Sequence, residues 1–93
     1  MHVWVLETFD REDKWCEYNS EVVAVYSESK FNEAKNHFER LCDMRIDDED
    51  DEDKNEIEVD KWEDKNGYYF SSESGECESY KFNYVGLKRM ELL

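Results

Sequence analysis

Residues 21–42 read EVVAVYSESKFNEAKNHFERLC, and this stretch predicts the strand and the helix on which the fold depends. Residues 21–26, EVVAVY, are apolar on both alternating faces, as is typical of a strand that is covered on both sides of a sheet. Ser27 or Ser29 can then act as an N-cap, because a serine hydroxyl accepts a hydrogen bond from a free amide in the first turn of a helix. Apolar side chains follow at helical spacing, at Phe31, Ala34, Phe38, Leu41 and Cys42. The stretch predicts a strand followed by a helix that ends near Cys42 or Met44.

Patterns on either side of this stretch predict further strands. Residues 2–9, HVWVLETF, are rich in β-branched and aromatic residues and predict a first strand. A polar connection over residues 10–20 is expected to join it to the second strand. After the helix, Ile57 and Val59 alternate with acidic residues up to Trp62 and predict a third strand.

The C-terminal third of the sequence predicts two more strands. Asn66-Gly67 favours a type I′ turn, because asparagine and glycine tolerate the positive φ that both central positions require. A returning strand is expected to begin at Tyr68. Gly86 is expected to break or bulge the last strand, which has alternating aromatic residues at Tyr80, Phe82 and Tyr84.

The predicted order of elements is β-β-α-β-β-β, which defines an α+β fold in a single domain over residues 1–93. We expect one main helix to pack on an antiparallel or mixed sheet of four to five strands. The side chains expected to be largely buried between them are Val3, Val5, Val22, Ala24, Phe31, Phe38, Leu41, Ile57 and Val59.

One helix can cover only one face of such a sheet, yet both strands of the first hairpin are apolar on both faces. Two alternatives follow from this pattern. The C-terminal residues Leu87, Met90, Leu92 and Leu93 could fold over the second face. Otherwise this face is an interface with a second copy or with another protein, because large apolar patches rarely stay exposed on monomers.

The charge of the chain limits the partners that it can bind. Its 93 residues include 26 acidic and 12 basic side chains, for a formal net charge of −14. Binding to nucleic acid or to an anionic membrane needs a basic surface, so neither is expected. The acids are densest at Asp47–Asp53, an unbroken acidic run that predicts a solvated, flexible loop at about 45–55.

The residue types that catalyse reactions or hold metal ions are scarce. Cys16, Cys42 and Cys77 are isolated thiols without a Cys-x-x-Cys motif, as is typical of a reducing compartment. His37 lies next to the apolar stripe of the helix and is expected to be a partly buried structural residue. The acidic run does not fit an EF-hand loop, since it has Glu52 where the sharp turn needs glycine. We therefore expect no enzymatic activity, no cofactor and no bound metal.

One acidic stretch with nearby aromatic residues is the candidate binding surface. In the third strand Glu56, Glu58 and Asp60 would lie on one face at steps of about 6.8 Å, which match two rises of about 3.4 Å along a DNA strand. Such a row could occupy a groove that binds nucleic-acid phosphates, with aromatic side chains anchoring the contact. The alternative is that the acids only keep an aromatic-rich domain soluble. The residues expected to bind the partner are Asp47, Asp48, Glu49, Asp50, Asp51, Glu52, Asp53, Glu56, Glu58, Asp60, Trp62 and Tyr69.

The segments HVWVLETF, EVVAVYS, FNEAKNHFERL and EIEVDKWE, within residues 2–63, resemble small, uncharacterised β-β-α-β proteins common in bacteriophage genomes. In size, acidity and aromatic content the chain is also similar to phage inhibitors of host DNA-acting enzymes. That class includes anti-CRISPR proteins, anti-restriction proteins and the uracil-DNA glycosylase inhibitor. The second resemblance is one of composition and transfers no residue, and it implies an inhibitor of a host protein.

Together these observations predict a non-enzymatic acidic binding protein that occludes the nucleic-acid-binding groove of a host defence or DNA-acting protein. Its partner would be a protein with a basic groove, such as a nuclease, and it would bind neither nucleic acid nor membranes directly. No stretch has the about 20 apolar residues of a membrane span, and the N-terminus does not resemble a signal peptide. A cytoplasmic location is therefore expected, in the host cell if a phage encodes the chain. The alternative function is a small homo-oligomeric structural or assembly protein that uses the apolar sheet face to form a homodimer.

Overall fold

The chain forms five strands and one α-helix in the residues that the computed structural model describes, which are 1–13, 16–47, 58–75 and 80–91. In chain order the elements are β1 (His2–Glu12), β2 (Glu17–Ser27), a 3-10 turn (Glu28–Lys30), α1 (Phe31–Asp47), β3 (Glu58–Asp64), β4 (Gly67–Ser74) and β5 (Lys81–Glu91). This arrangement confirms the predicted α+β fold and its order β-β-α-β-β-β.

The strands form one antiparallel sheet in the order β2-β1-β5-β4-β3. β5 lies between β1 and β4 and pairs with β1 along its whole length, from Glu91 opposite His2 to Lys81 opposite Glu12. It thereby joins two hairpins, β1–β2 and β3–β4, into a single sheet whose edge strands are β2 and β3.

α1 packs on one face of the sheet and forms the hydrophobic core there. Phe38 is fully buried, which confirms the predicted helix register. At the start of the helix, the ring of Phe31 lies 4.9 Å from that of Trp4 and 5.7 Å from that of Tyr68, measured between centroids. Leu41 is partly buried against the same core. The buried apolar cluster is Leu6, Ala34, Phe38, Cys42, Phe70, Val85 and Leu87.

The orientation of the first hairpin differs from the prediction. Trp4 and Leu6 face the helix, so Val3 and Val5 lie on the opposite face and do not belong to the core. Both alternating sets of β1 are apolar. The set with the larger side chains faces the helix, where it removes more apolar area from water.

A β-bulge in β2 changes the alternation of the second strand. Leu6 pairs with Ala24 but Glu7 pairs with Val22, so Val23 is an extra residue in β2. Ala24 and Val23 both pack against the core, as was expected for Ala24. Val22 is instead 59% exposed on the other face. The prediction that Val22 is buried is therefore wrong, because strict alternation fails at the bulge.

The prediction that Val59 is buried is also wrong. Val59 is 45% exposed, because β3 is an edge strand and all its residues are exposed. Ile57, the other apolar residue predicted to be buried here, lies outside the described residues.

The first hairpin is longer than the sequence predicted. The stretch expected as a polar connection over residues 10–20 is mostly strand, and only residues 13–16 separate β1 from β2. At this end the pairing continues with polar side chains, which an antiparallel ladder tolerates when it is exposed to water.

The β3–β4 turn is not the type I′ turn predicted from Asn66-Gly67. Gly67 already pairs with Asp64 in the ladder, and neither Asn66 nor Gly67 has a positive φ. The turn is closed by Asp64 Oδ1, which accepts hydrogen bonds from the backbone amides of Asn66 at 2.7 Å and Gly67 at 2.9 Å. Glycine is needed at position 67 because a Cβ there would collide with the carbonyl oxygen of Leu87 on β5.

Gly86 does not break or bulge the last strand as expected. β5 continues through Gly86 to Glu91. The missing side chain makes room for the ring of Tyr84, whose hydroxyl lies where a Cβ of residue 86 would be. Glycine therefore serves side-chain packing at this position.

The C-terminal residues do not all act as a cover for the second sheet face. Leu87 is fully buried in the core, on the helix side. Met90 is 50% exposed. Residues 92–93 lie outside the described part of the chain.

α1 differs from the prediction at both ends. It is preceded by the 3-10 turn, where Ser27 makes no capping hydrogen bond, and it continues to Asp47. In its last turn, Arg45 donates hydrogen bonds of 3.1 and 2.9 Å to the two carboxylate oxygens of Asp10. A cation near a helix C-terminus interacts favourably with the free carbonyls, and this one also attaches α1 to β1. Residues 45–47 of the predicted flexible loop are therefore helical, and its residues 48–55 lie outside the described residues.

Replacing Phe38 with alanine should lower the free energy of unfolding by about 3–5 kcal/mol, because a fully buried ring is lost and a cavity remains. Urea denaturation followed by circular dichroism measures this loss. The control is Met44→Ala, which shortens an exposed side chain of α1 and should cost about 1 kcal/mol or less. Equal losses in the two variants would contradict the packing described here.

Candidate functional site

The sheet face opposite α1, here called the open face, carries the candidate site. Its side chains alternate with those of the core along each strand, and no helix within the described ranges packs on it. Part of this face is an acidic-aromatic strip on β3 and β4, formed by Glu58, Asp60, Trp62, Asp64, Tyr69 and Glu73. Outside the strip, the open face also carries Val3, Val5, Glu7, Val22, Val25, Tyr84, Lys88 and Met90.

Four of the residues predicted to bind a partner lie together in this strip. Glu58, Asp60 and Trp62 occupy alternate positions on β3 and therefore share a face. Tyr69 on β4 is the cross-strand neighbour of Trp62. The two rings stack, with centroids 5.6 Å apart and planes inclined by 22°. The structure thus combines two carboxylates with one aromatic surface.

The remaining predicted residues are not part of the strip. Asp47 is the last residue of α1. Residues 48–53 and Glu56 lie outside the described residues, so a binding role for them stays a prediction.

Two carboxylates of the strip were missed by the sequence reasoning. Asp64 lies two residues after Trp62 on β3 and shares its face. Glu73 on β4 lies directly opposite Glu58. The alternation of charges along β3 could have indicated Asp64. Finding Glu73 needed the register of the β3–β4 hairpin, which depends on the turn.

The carboxylates of the strip form no ion pair with any basic residue in the described ranges. Lys61, the lysine within β3, points to the helix side and pairs with Glu39. Lys88, on the open face, pairs with Glu7 at 2.6 Å. The negative charge of the strip is therefore not compensated by neighbouring lysines.

Two tyrosine hydroxyls at the strip remain protonated at neutral pH. Burial raises the pKa of Tyr69, and the Asp64 carboxylate raises it further. Burial also raises the pKa of Tyr84, which lies on the open face of β5. A protonated phenol donates one hydrogen bond, and the Tyr69 hydroxyl donates it to Asp64 Oδ1 at 3.5 Å.

The thiols and the possible metal ligands do not form a reactive site in the described residues. Burial raises the pKa of the Cys42 thiol to about 12, so this thiol is not a nucleophile at neutral pH. Cys16 is an exposed free thiol, and Cys77 is not described. No described group of three or more His, Cys, Asp or Glu side chains could hold a metal ion. No described helix is long and apolar enough to cross a membrane.

His37 connects the helix to the second strand. Its Nδ1 lies 2.7 Å from the hydroxyl of Tyr26 on β2. The ring is partly buried, as predicted for a structural histidine. Burial lowers the pKa of His37, and the nearby positive charge of Arg40 lowers it further. The neutral imidazole therefore belongs to the packing of α1 on the sheet.

A cleft of about 350 Å³ lies beside the last turn of α1, on the helix side of the sheet. Four of its six charged lining residues pair with one another. Arg45 binds Asp10 at 2.9 Å, and the Lys81 ammonium lies 3.7 Å from the Glu12 carboxylate. Because these two pairs already neutralise most of the charge of the cleft, we place the candidate site on the open face.

Comparisons with known proteins return nothing that this chain is similar to. No family model matches it, and neither a curated protein nor a solved structure does. No relative therefore contributes a function, and the resemblance to bacteriophage proteins stays a prediction. The function has to be inferred from geometry and charge.

A variant that keeps Cys42 alone, with Cys16→Ser and Cys77→Ser, should not react with a thiol reagent at about pH 8 while it is folded. The reason is that the thiol is buried and protonated. The same variant should react readily in guanidinium chloride. As the control, a variant that keeps Cys16 alone should react in the folded state. The absorbance of the chromophore that the thiol reagent releases measures the reaction of each variant. Fast labelling of folded Cys42 would contradict its burial.

Lowering the pH from about 7.5 to about 5.5 should destabilise the wild type relative to His37→Gln. Folding lowers the pKa of His37, so the unfolded chain takes up the proton more readily than the folded chain. The stability contributed by neutral His37 is complete above the unfolded pKa of about 6.5 and is lost as the pH falls toward the folded value. Urea denaturation of both proteins at each pH measures the difference between their free energies of unfolding. If this difference in free energy stays constant with pH, neutral His37 does not contribute stability that protonation removes.

Proposed function

We propose that this chain is a non-enzymatic binding protein whose acidic-aromatic strip occupies the basic groove of a nucleic-acid-binding protein. It would thereby act as a phage-type inhibitor of a host defence or DNA-acting protein, of the anti-CRISPR or anti-restriction class. The observation on which this rests is the stack of Trp62 on Tyr69 among carboxylates that no described cation neutralises. The mechanism is occlusion, because a groove filled by the strip cannot hold a phosphate backbone.

The spacing of the carboxylates on β3 supports this proposal. Glu58 and Asp60 are two residues apart on one strand and so stand about 6.8 Å apart. Two successive rises along a DNA strand span about the same distance. A groove whose basic side chains contact every second phosphate along one strand can therefore meet carboxylates at a similar spacing.

The aromatic pair supports binding to arginine in particular. A guanidinium stacks on aromatic faces and pairs with carboxylates, and both groups are present in the strip. The same combination occurs within this chain at Arg11, whose guanidinium lies 5.6 Å from the ring centroid of Tyr18 and 5.4 Å from that of Tyr80. Arg11 also donates a hydrogen bond of 2.7 Å to Asp13. The strip offers the aromatic and acidic parts of such a site to an arginine from outside.

The charge arrangement of the strip also favours a binding role over a purely solubilising one. Glu58 and Glu73 lie directly opposite each other, and like charges in that position destabilise a sheet. Cations of a bound partner would relieve this repulsion. The net charge of −14 would also speed association with a basic groove by long-range attraction.

A homo-oligomeric role is the second candidate function. It is favoured by Val22 and Val25, which are each 59% exposed on the open face outside the strip. The two roles are compatible, because they use different strands of the same face.

The immobilised chain should capture a nucleic-acid-binding protein from bacterial lysate at about 50 mM salt, and duplex DNA should displace it. Displacement is expected because the proposal places strip and DNA in the same groove. Mass spectrometry identifies the captured protein, and surface plasmon resonance gives its rate constants. If no captured protein is displaced by DNA, the proposed function is wrong.

Matched variants test whether the strip makes the contact. Glu58→Gln with Asp60→Asn should weaken binding about tenfold at low salt, mainly through slower association. The control, Glu33→Gln with Asp43→Asn, makes the same change in net charge at exposed positions of α1 and should bind within about twofold of the wild type. Trp62→Ala should dissociate about tenfold faster with an unchanged salt dependence. Equal weakening by the two charge variants would show that only net charge matters.

A further inference from the structure

The open face also carries an apolar patch that is separate from the acidic-aromatic strip. Val5 is at its centre, paired with Val25 on β2 and with Lys88 on β5. Val22 and Val25 are each 59% exposed, and Met90 is 50% exposed. We call this the valine patch, and it consists of Val3, Val5, Val22, Val25 and Met90.

We propose that the valine patch binds the valine patch of a second copy of this chain and forms a two-fold symmetric dimer. Exposed aliphatic side chains from three neighbouring strands form a continuous surface, and such surfaces on soluble proteins mark interaction sites. This inference rests on the second candidate function and deepens it. It is independent of the proposed inhibitor role, because the dimer uses β2, β1 and β5 whereas the strip lies on β3 and β4.

The charge distribution favours a second copy as the occupant. The charged side chains beside the patch, Glu7 and Lys88, pair at 2.6 Å and are neutral as a unit. A basic partner is attracted to the strip rather than to this neutral patch. Two copies that each carry −14 repel wherever their acidic surfaces meet, so they approach at least cost through a neutral, apolar surface. An apolar patch is also self-complementary, as a two-fold axis requires.

A two-fold axis parallel to β1 keeps the strips of the two copies apart. In the order β2-β1-β5-β4-β3, β3 lies three strands from β1, which is about 14 Å at about 4.8 Å per strand. The axis places the two β3 strands on opposite sides, about 29 Å apart, well beyond the Debye length of about 8 Å at physiological salt. β2, β1 and β5 of one copy then cover β5, β1 and β2 of the other, so that Val3 and Val5 meet their own copies and Val25 lies against the second copy's Lys88. β3 and β4 remain free to bind another protein.

The area of contact predicts how tight this dimer is. Three strands of 11 residues each cover about 14 Å by 36 Å, or at most about 500 Å² on each copy. Specific interfaces begin at about 1,000 Å² summed over both partners. The valine patch occupies only about half of that strand length, so even the upper bound just reaches the limit and the dimer should dissociate on dilution.

Analytical ultracentrifugation of the full chain from about 1 to 500 µM tests the dimer at about 0.15 M salt. The mass should rise with concentration from 11.3 kDa toward twice that value, and added salt should strengthen the dimer by screening the repulsion. Val25→Lys should raise the dissociation constant at least about tenfold, because it places one ammonium against the second copy's Lys88. The control Met44→Lys makes the same kind of change at an exposed position of α1 and should dimerise like the wild type.

A wild-type mass that stays at 11.3 kDa over the whole range would overturn the dimer, and so would a Val25→Lys variant that dimerises normally. Val22→Lys is the second patch variant, and thermal melts by circular dichroism show that each variant is folded. The experiments distinguish a failure of the dimer from a failure of the proposed function. Glu58→Gln with Asp60→Asn should still dimerise, and Val25→Lys should still capture the protein that DNA displaces.

Discussion

The packing of α1 on one side of the sheet is the constraint on which the other features depend. Phe38 and its neighbours bury the apolar stripe of the helix against β1, β4 and β5. A helix of 17 residues is about 25 Å long and about 10 Å wide, so it covers one face of a five-strand sheet and leaves the other uncovered. That face keeps valines, aromatic rings and carboxylates in contact with solvent. Both proposed binding surfaces result from this one asymmetry.

The carboxylates of β3 have two effects that support each other. β3 is an edge strand, and an edge strand has free backbone groups that can pair with a strand of another molecule. Acidic side chains on such a strand discourage pairing with another copy of the same acidic chain. The same carboxylates attract a basic protein, so the strip can reject copies of itself and still accept a partner. The opposite edge, β2, is interrupted by the bulge at Val23, which also disfavours pairing.

The order of elements was predictable because each strand and the helix has its own local periodicity. The orientation of the first hairpin was not, since the two alternating sets of β1 are both apolar and only the docked helix distinguishes them. The bulge at Val23 has no local signal, and it moved Val22 to the opposite face. The shared face of the acids on β3 was readable from alternation alone. The place of Glu73 was not, because it depends on the register set by Asp64 in the turn.

The central position of β5 shapes how the chain reaches this structure. β5 follows the other four described strands in the chain, yet it pairs with both β1 and β4. The contact between His2 and Glu91 closes a loop of almost the whole chain, and such non-local contacts slow folding. Before β5 emerges from the ribosome, the inner edges of both hairpins are unpaired and exposed to aggregation. A nascent chain that stops before β5 would therefore lack the strand that joins its two hairpins into one sheet, and would not be a slightly shorter version of the same domain.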